Sequence, residues 1–244
     1  MRWLSCFCRL ALACMLISFF AVRAADTPKS DSGITVDKEK KIISIDCKIA
    51  PRKINDPAYK EIYPIEVIAC WPWAKDDKGN LVGGQKAHET VVTFEKATKP
   101  SLVHKALEDL GLKPGTPVVG GGKKDVPQGP EVEMFLEFAG PDGQPKKVPI
   151  EKTMIDPKTK KNLPKLKWRF TGSVMSQPDP NKPDKVYGAD LTGTLISIFP
   201  VTNQTVFQTE LTMAEEKFIK LETDKDLLPK EGTPVKLIIQ VPNK

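Results

Sequence analysis

Apolar and polar residues alternate with a period of two through much of this chain, the spacing of strands that bury one face. Ile43, Ile45, Cys47 and Ile49 share one side of the first run, and Ser44, Asp46 and Lys48 take the other. Val132, Met134, Leu136 and Phe138 alternate with Glu131, Glu133, Phe135 and Glu137. Leu166, Trp168 and Phe170 alternate with Lys165, Lys167 and Arg169, and Val235, Leu237, Ile239 and Val241 form the last run. Further strand candidates lie at 65–73, 191–199, 205–211 and 218–221. Between 88 and 95, His88, Thr90, Val92 and Phe94 form one row and Glu89, Val91, Thr93 and Glu95 the other. This parity predicts that His88 and Glu89, although adjacent, face opposite sides of a strand.

The period changes to 3.6 in one place. Leu102, Val103, Ala106, Leu107 and Leu110 form an apolar stripe over residues 101–111. Pro100 holds Lys99 outside helical geometry, Ser101 is the expected N-cap, and Gly111 followed by Leu112 and Pro114 is a stop signal. His104 falls off the centre of the stripe, one turn from Glu108. Asp76 to Asn80 and Pro141 to Gly143 read as turns, and 177–185 as a proline-rich loop. The expected fold is β-dominated α+β: mostly antiparallel strands in two packed sheets or lobes, with one main helix at about 101–111. If there are two lobes, they divide at about 140/141.

Residues 1–24 change the accounting. Arg2 and Arg9 precede an apolar run from 10 to 22 that is short for a bilayer span, and Val22-Arg23-Ala24 places small residues at the −3 and −1 positions. This is a secretory signal pattern, with cleavage expected before Ala25; the rival is lipoprotein processing before Cys14. Cleavage before Ala25 removes Cys6, Cys8, Cys14 and three arginines, and lowers the formal net charge from +6 to +3. That excess is too small to argue for nucleic acid. No later segment is apolar enough to span a membrane. Residues 25–33 then read as a polar, disordered tail, and 34–244 as the folded domain.

The remaining residues bound the chemistry. There is no Gly-x-Ser-x-Gly elbow, and the glycines at 115–122 lack the Lys-Ser/Thr ending of a phosphate loop. Cys70 and His88 are a conceivable nucleophile pair, weighed against a histidine in a plain hydrogen-bonding role. His88, Glu89, His104 and Cys70 (or Cys47) are the one candidate set for zinc or another divalent metal. The lysines of 158–167 are either an anionic-ligand patch or the solvated face of an edge strand. In an exported chain Cys47 and Cys70 are a disulfide candidate, with two buried free thiols as the alternative.

Lys86-Ala87-His88-Glu89-Thr90, followed by a helix of the form S-x-x-H-x-A-L-x-x-L-G-L-x-P-G-x-P from Ser101 to Pro117, resembles the YdjY-like domain of bacterial extracytoplasmic proteins. Ile65 to Cys70, Trp168 to Ser173 (with Gly172), Tyr187 to Asp190 and Gly232 to Val235 are similar to that family's further motifs, in the same order. The resemblance runs from about 34 to 241 and implies no established activity. Some relatives are described as ferredoxin-like, but an all-cysteine iron–sulfur cluster needs four thiolates and only Cys47 and Cys70 would survive maturation.

Three functional classes follow. The first is an exported, non-enzymatic module, without a resident cofactor, that binds an extracytoplasmic partner or surface component. The second is a metal or redox protein using His88 and His104 with Cys70. The third is a hydrolase with an unrecognised site.

Overall fold

In the computed structural model, which describes residues 32–80, 82–120 and 125–242, the alternating runs pair with one another in register. In chain order the elements begin with β1 (Ile34–Asp37), β2 (Ile42–Ile49), β3 (Val67–Cys70), β4 (Val92–Phe94) and α1 (Pro100–Asp109). β5 (Glu131–Ala139), β6 (Pro145–Pro149), a 3-10 turn (Ile150–Thr153), β7 (Met154–Ile155), β8 (Trp168–Phe170), β9 (Met175–Ser176) and β10 (Val186–Tyr187) follow. The chain ends with α2 (Ala189–Thr192), β11 (Thr194–Ser197), β12 (Phe207–Gln208), α3 (Met213–Glu216), β13 (Glu222–Thr223) and β14 (Pro234–Gln240).

The long strands set the register. β14 lies antiparallel between β2 and β5, placing Leu237 opposite both Ile45 and Leu136, and Ile239 opposite Ile43 and Met134. All six side chains are buried, so one apolar row continues across three strands. β5 then pairs with β8, β8 with β12, β12 with β11, β11 with β3 and β3 with β4, and β4 pairs back to β2. The result is a closed eight-stranded barrel with β1 and β6 as extra strands, not the two packed sheets expected from the sequence. Eight strands enclose just enough room for side chains, here including Trp168, Phe170, Phe207, Ile43 and Leu136. β11–β12 and β3–β4 are parallel and the other pairings antiparallel. Because β14 stands between β2 and β5, the two ends of the chain share one barrel, and no lobe boundary falls at 140/141.

Two edges are shared in halves. β2 pairs with β1 through Ile42 to Ile45 and with β4 through Cys47 to Ile49. β5 pairs with β8 through Glu131 and Val132 and with β6 from Phe135 onward. β8 is thus an interior strand, and the lysines of 158–167 do not line a sheet edge; they lie mostly on an exposed loop before it.

α1 packs Val103, Ala106 and Leu107 into the core, with Leu110 half-buried, while Leu102 is 42% exposed and lies off the stripe. The helix ends as its sequence predicts. Gly111 has φ 89°, its N–H bonds to Glu108 O, and the Leu112 N–H reaches Leu107 O, the paired bonds of a Schellman cap. The start differs: Lys99 is the N-cap, without a side-chain bond, and Ser101 lies inside the first turn. No strand forms at the expected 218–221; the short helix α3 precedes that stretch, opened by a capping box between Thr212 and Glu215. The expected cleavage site and residues 25–31 fall outside the described residues. Ser32 and Gly33, assigned above to a disordered tail, are tied down: Thr98 Oγ1 donates to Ser32 O and Asp46 N to Gly33 O.

Candidate functional site

The residues from Gly84 to Thr90 do not form a strand. Ala87 N donates to Gly84 O and Glu89 N to Lys86 O, so the chain coils through two successive turns before β4 begins at Val92. Coiling cancels the parity of an extended chain and brings His88 and Glu89 to the same side. His88 Nε2 lies 2.8 Å from Glu89 Oε1.

A chain of charged groups runs through this turn. Lys86 Nζ lies 2.6 Å from both Glu66 Oε2 and Glu89 Oε2. Burial pushes the Glu89 carboxyl up, but hydrogen bonds from His88 and Lys86 outweigh it and hold the group at about 2. Burial and the adjoining Glu89 raise Glu66. Burial works against the Lys86 ammonium, yet its two carboxylate partners keep it above its ordinary value. Arg52, which is 4% exposed, donates from its guanidinium to His88 O and Tyr63 O and so anchors the turn to the irregular 51–64 segment.

That segment lays two aromatic rings on His88. The Tyr59 ring centroid is 4.4 Å from the imidazole and that of Tyr63 5.0 Å, the latter edge-on. His88 is 6% exposed, and its Nδ1 is buried without a hydrogen-bond partner. A carboxylate only accepts, so Nε2 carries a proton. In the neutral ring Nδ1 then holds a bare lone pair; in the charged ring it holds an unpaired N–H. Either way the group has lost its water without replacement, at a cost of about 1–3 kcal/mol.

His104 has the opposite surroundings. Ser173 N donates to Tyr187 Oη at 3.1 Å, and the Tyr187 hydroxyl lies 2.7 Å from His104 Nδ1. The Glu108 carboxylate, 3.6 Å from Nε2, can only accept, which favours the tautomer with its proton on Nε2 and leaves Nδ1 to accept the Tyr187 hydroxyl proton. Burial lowers the His104 pKa and raises that of Tyr187. The imidazole stands edge-on to Phe170. Gly172, at φ 67°, passes so close that a Cβ there would come within 3.2 Å of His104 Cε1. Asp190 accepts from Ser101 N at 2.8 Å and from Ser101 Oγ at 2.5 Å, and Ala189 N donates to Ser173 Oγ. Ser101, His104, Gly172, Ser173, Tyr187 and Asp190 thus form one satisfied knot that docks α1.

The candidate metal set does not assemble. His88 and Glu89 meet, but His104 belongs to the other cluster. Among the described residues no group of three or more His, Cys, Asp or Glu side chains could hold a metal ion. Nor are Cys47 and Cys70 bridged; both are free and buried. Cys47 stands opposite Phe94 and Cys70 opposite Thr93, so β4 lies between them and the thiols leave opposite faces of the sheet. Two strand spacings put their Cα atoms about 9–10 Å apart, beyond the roughly 7 Å reach of a disulfide. Burial pushes the Cys70 thiol up to about 12, so it stays protonated. Trp168, the remaining motif residue, lies on the barrel wall beside Val132.

The motifs of both clusters sit inside one family pattern. The YdjY domain model matches residues 34–240. The chain belongs to the YdjY domain family. No curated protein and no solved structure matches it. Two motifs of the YdjY domain thus differ here: the Ser101–His104–Tyr187–Asp190 group holds the helix on the barrel, and the Lys86–His88–Glu89 turn leaves His88 Nδ1 without a partner. The sequence did not flag Tyr59, Tyr63 or Arg52, and the signal of Arg52 is faint, a lone arginine between Pro51 and Lys53.

Proposed function

We propose that this protein is an exported, non-enzymatic binding module, released by cleavage before Ala25, and that His88 is its recognition residue. The unpartnered, buried His88 Nδ1 carries the reading. The charged groups around it are paired: Glu89 with Lys86 and His88, and Arg52 with two carbonyls. A ligand that hydrogen-bonds Nδ1 recovers the cost of its desolvation, and it does so by displacing Tyr59 or Tyr63. Binding is favoured over turnover because, among the described residues, neither histidine bonds a serine or cysteine that it could activate. The signal-like residues 1–24 support export.

Native mass spectrometry of protein recovered from the extracytoplasmic fraction tests this. The expected result is a chain beginning at Ala25 with a noncovalently bound small molecule that His88→Gln loses. An intact Met1 terminus overturns export. An empty wild type, or a ligand retained by His88→Gln, overturns the recognition role.

A further inference from the structure

The gap where β5 passes from β8 to β6 holds a cavity of about 290 Å³. Its walls are apolar and partly aromatic, with Met134, Phe135, Leu163, Leu166 and Trp168 among them. Of the two acids that line it, Glu133 and Glu151, Glu151 is the buried one. Glu151, in the 3-10 turn, is 6% exposed. Its Oε1 accepts from Leu166 N at 3.1 Å and from Trp168 Nε1 at 2.9 Å. Its Oε2 has no donor among the described residues, and it is not among the sealed polar atoms that lack a partner. That oxygen is therefore not sealed off, and Glu151 is one of the residues that line the cavity.

The other charges of the lining sit differently. Lys165 is 80% exposed at its side chain and is paired with Glu133 at 2.9 Å; Lys152 is exposed and makes no ion pair among the described residues. Solvent screens both, whereas the field of a buried carboxylate acts at close range with little screening.

We propose that this cavity is a binding site for a small organic amine, whose ammonium group bonds Glu151 Oε2 while its apolar body lies against Phe135, Leu163 and Trp168. The cavity is at the small end of ligand pockets, which suits a single-ring amine. A charge-assisted bond to the bare oxygen supplies orientation, and the aromatic walls suit a cation. The site uses none of the residues around His88, so it stands or falls separately from the recognition role given to that residue. It also reverses the choice posed by the lysines of 158–167, since the deepest charged group is acidic.

The test uses 2-phenylethylamine and 3-phenylpropionate as probes on the folded chain. The Trp168 indole N–H, bonded to Glu151, is the reporter in a two-dimensional 15N NMR titration. The amine is expected to shift that signal saturably and the carboxylate to leave it in place. Glu151→Gln keeps a carbonyl oxygen for the Leu166 and Trp168 donors and presents an NH2 group in place of Oε2. It should weaken the amine at least about tenfold with the Trp168 signal otherwise intact. Lys152→Gln should leave amine binding unchanged or tighter. The proposal is overturned if millimolar amine leaves the Trp168 signal of the wild type unmoved, if 3-phenylpropionate binds as well as the amine, or if a folded Glu151→Gln binds the amine undiminished. If Glu151→Gln does not fold, the two-probe comparison on the wild type decides alone.

Discussion

α1 starts without a cap of its own, and the residue that replaces the cap lies 89 positions downstream. Asp190 supplies one oxygen to the Ser101 N–H and the other to the Ser101 hydroxyl. Removing the carboxylate should therefore cost three things. A lost cap costs about 0.5–2 kcal/mol, and a lost anion at a helix N-terminus about 0.3–1 kcal/mol. The hydroxyl bond to a charged acceptor contributes about 1.5–3 kcal/mol when wholly buried, and less here because both residues are half-buried. These contributions overlap, so Asp190→Ala should destabilise by about 2–3 kcal/mol, or about 4–12 °C in melting temperature for a chain of this size. Ser101→Ala leaves the amide bond in place and should cost about 1 kcal/mol. The two sites share one bond, so the double variant should be milder than the sum by about 1 kcal/mol. Urea unfolding of the wild type, both single variants and the double variant, followed by circular dichroism, measures each value. Additivity within about 0.3 kcal/mol, or a loss below about 0.5 kcal/mol for Asp190→Ala, would refute the remote cap.

Leu107 is fully buried on α1, so Leu107→Ala should cost about 2–5 kcal/mol, while Lys105→Ala should stay within about 0.5 kcal/mol; similar shifts in thermal melts would show that the helix face is wrongly assigned. Glu89 is held at about 2, below the ordinary 4.5. Its contribution to stability is therefore complete above pH 4.5 and is lost as pH falls from 4.5 toward 2. Unfolding free energy measured across that window should fall less steeply in Glu89→Gln, and an unchanged slope would show that the acid sensitivity arises elsewhere.

The long strands were legible because each has one buried face: β2, β5 and β14 alternate in burial much as they alternate in sequence. α1 was legible through its stripe and through Gly111. Closure of the barrel was not, for a physical reason. β4 and β12 are only two or three residues long and β3 is buried at all four positions, so their burial shows no period, and β8, whose alternation was legible, is too short to reveal its partners. What joins them is pairing between distant segments. The turn at Gly84 to Thr90 was misread because His88, Thr90, Val92 and Phe94 mimic a strand row, although backbone bonds to Gly84 and Lys86 coil the first part. α3 did leave a sign, the spacing of Thr212 and Glu215, which is that of a capping box. Glu151 left little: an acid between Ile150 and the apolar Met154, whose burial depends on contacts with Leu166 and Trp168.

The two histidines show why motif membership alone does not mark a site. Both stand in the same stretch of family pattern, sixteen positions apart. Each lies close to a glutamate and to tyrosine rings. They differ in hydrogen-bond satisfaction. His104 has a partner at one nitrogen and a glutamate facing the other, and its surroundings anchor a helix; a folding role accounts for all of its contacts. His88 is equally well held through Nε2, its carbonyl and two aromatic rings, yet one nitrogen has no partner. A fold under selection for stability alone could fill that place with a partner, or with an apolar residue of similar size, and recover about 1–3 kcal/mol. Glu151 repeats the pattern: one oxygen accepts from two donors, and the other has no donor among the described residues. In both places the framework of the site is paid for by ordinary folding contacts, and a single polar atom is left over. The leftover atom, rather than the motif around it, is what both proposals rest on.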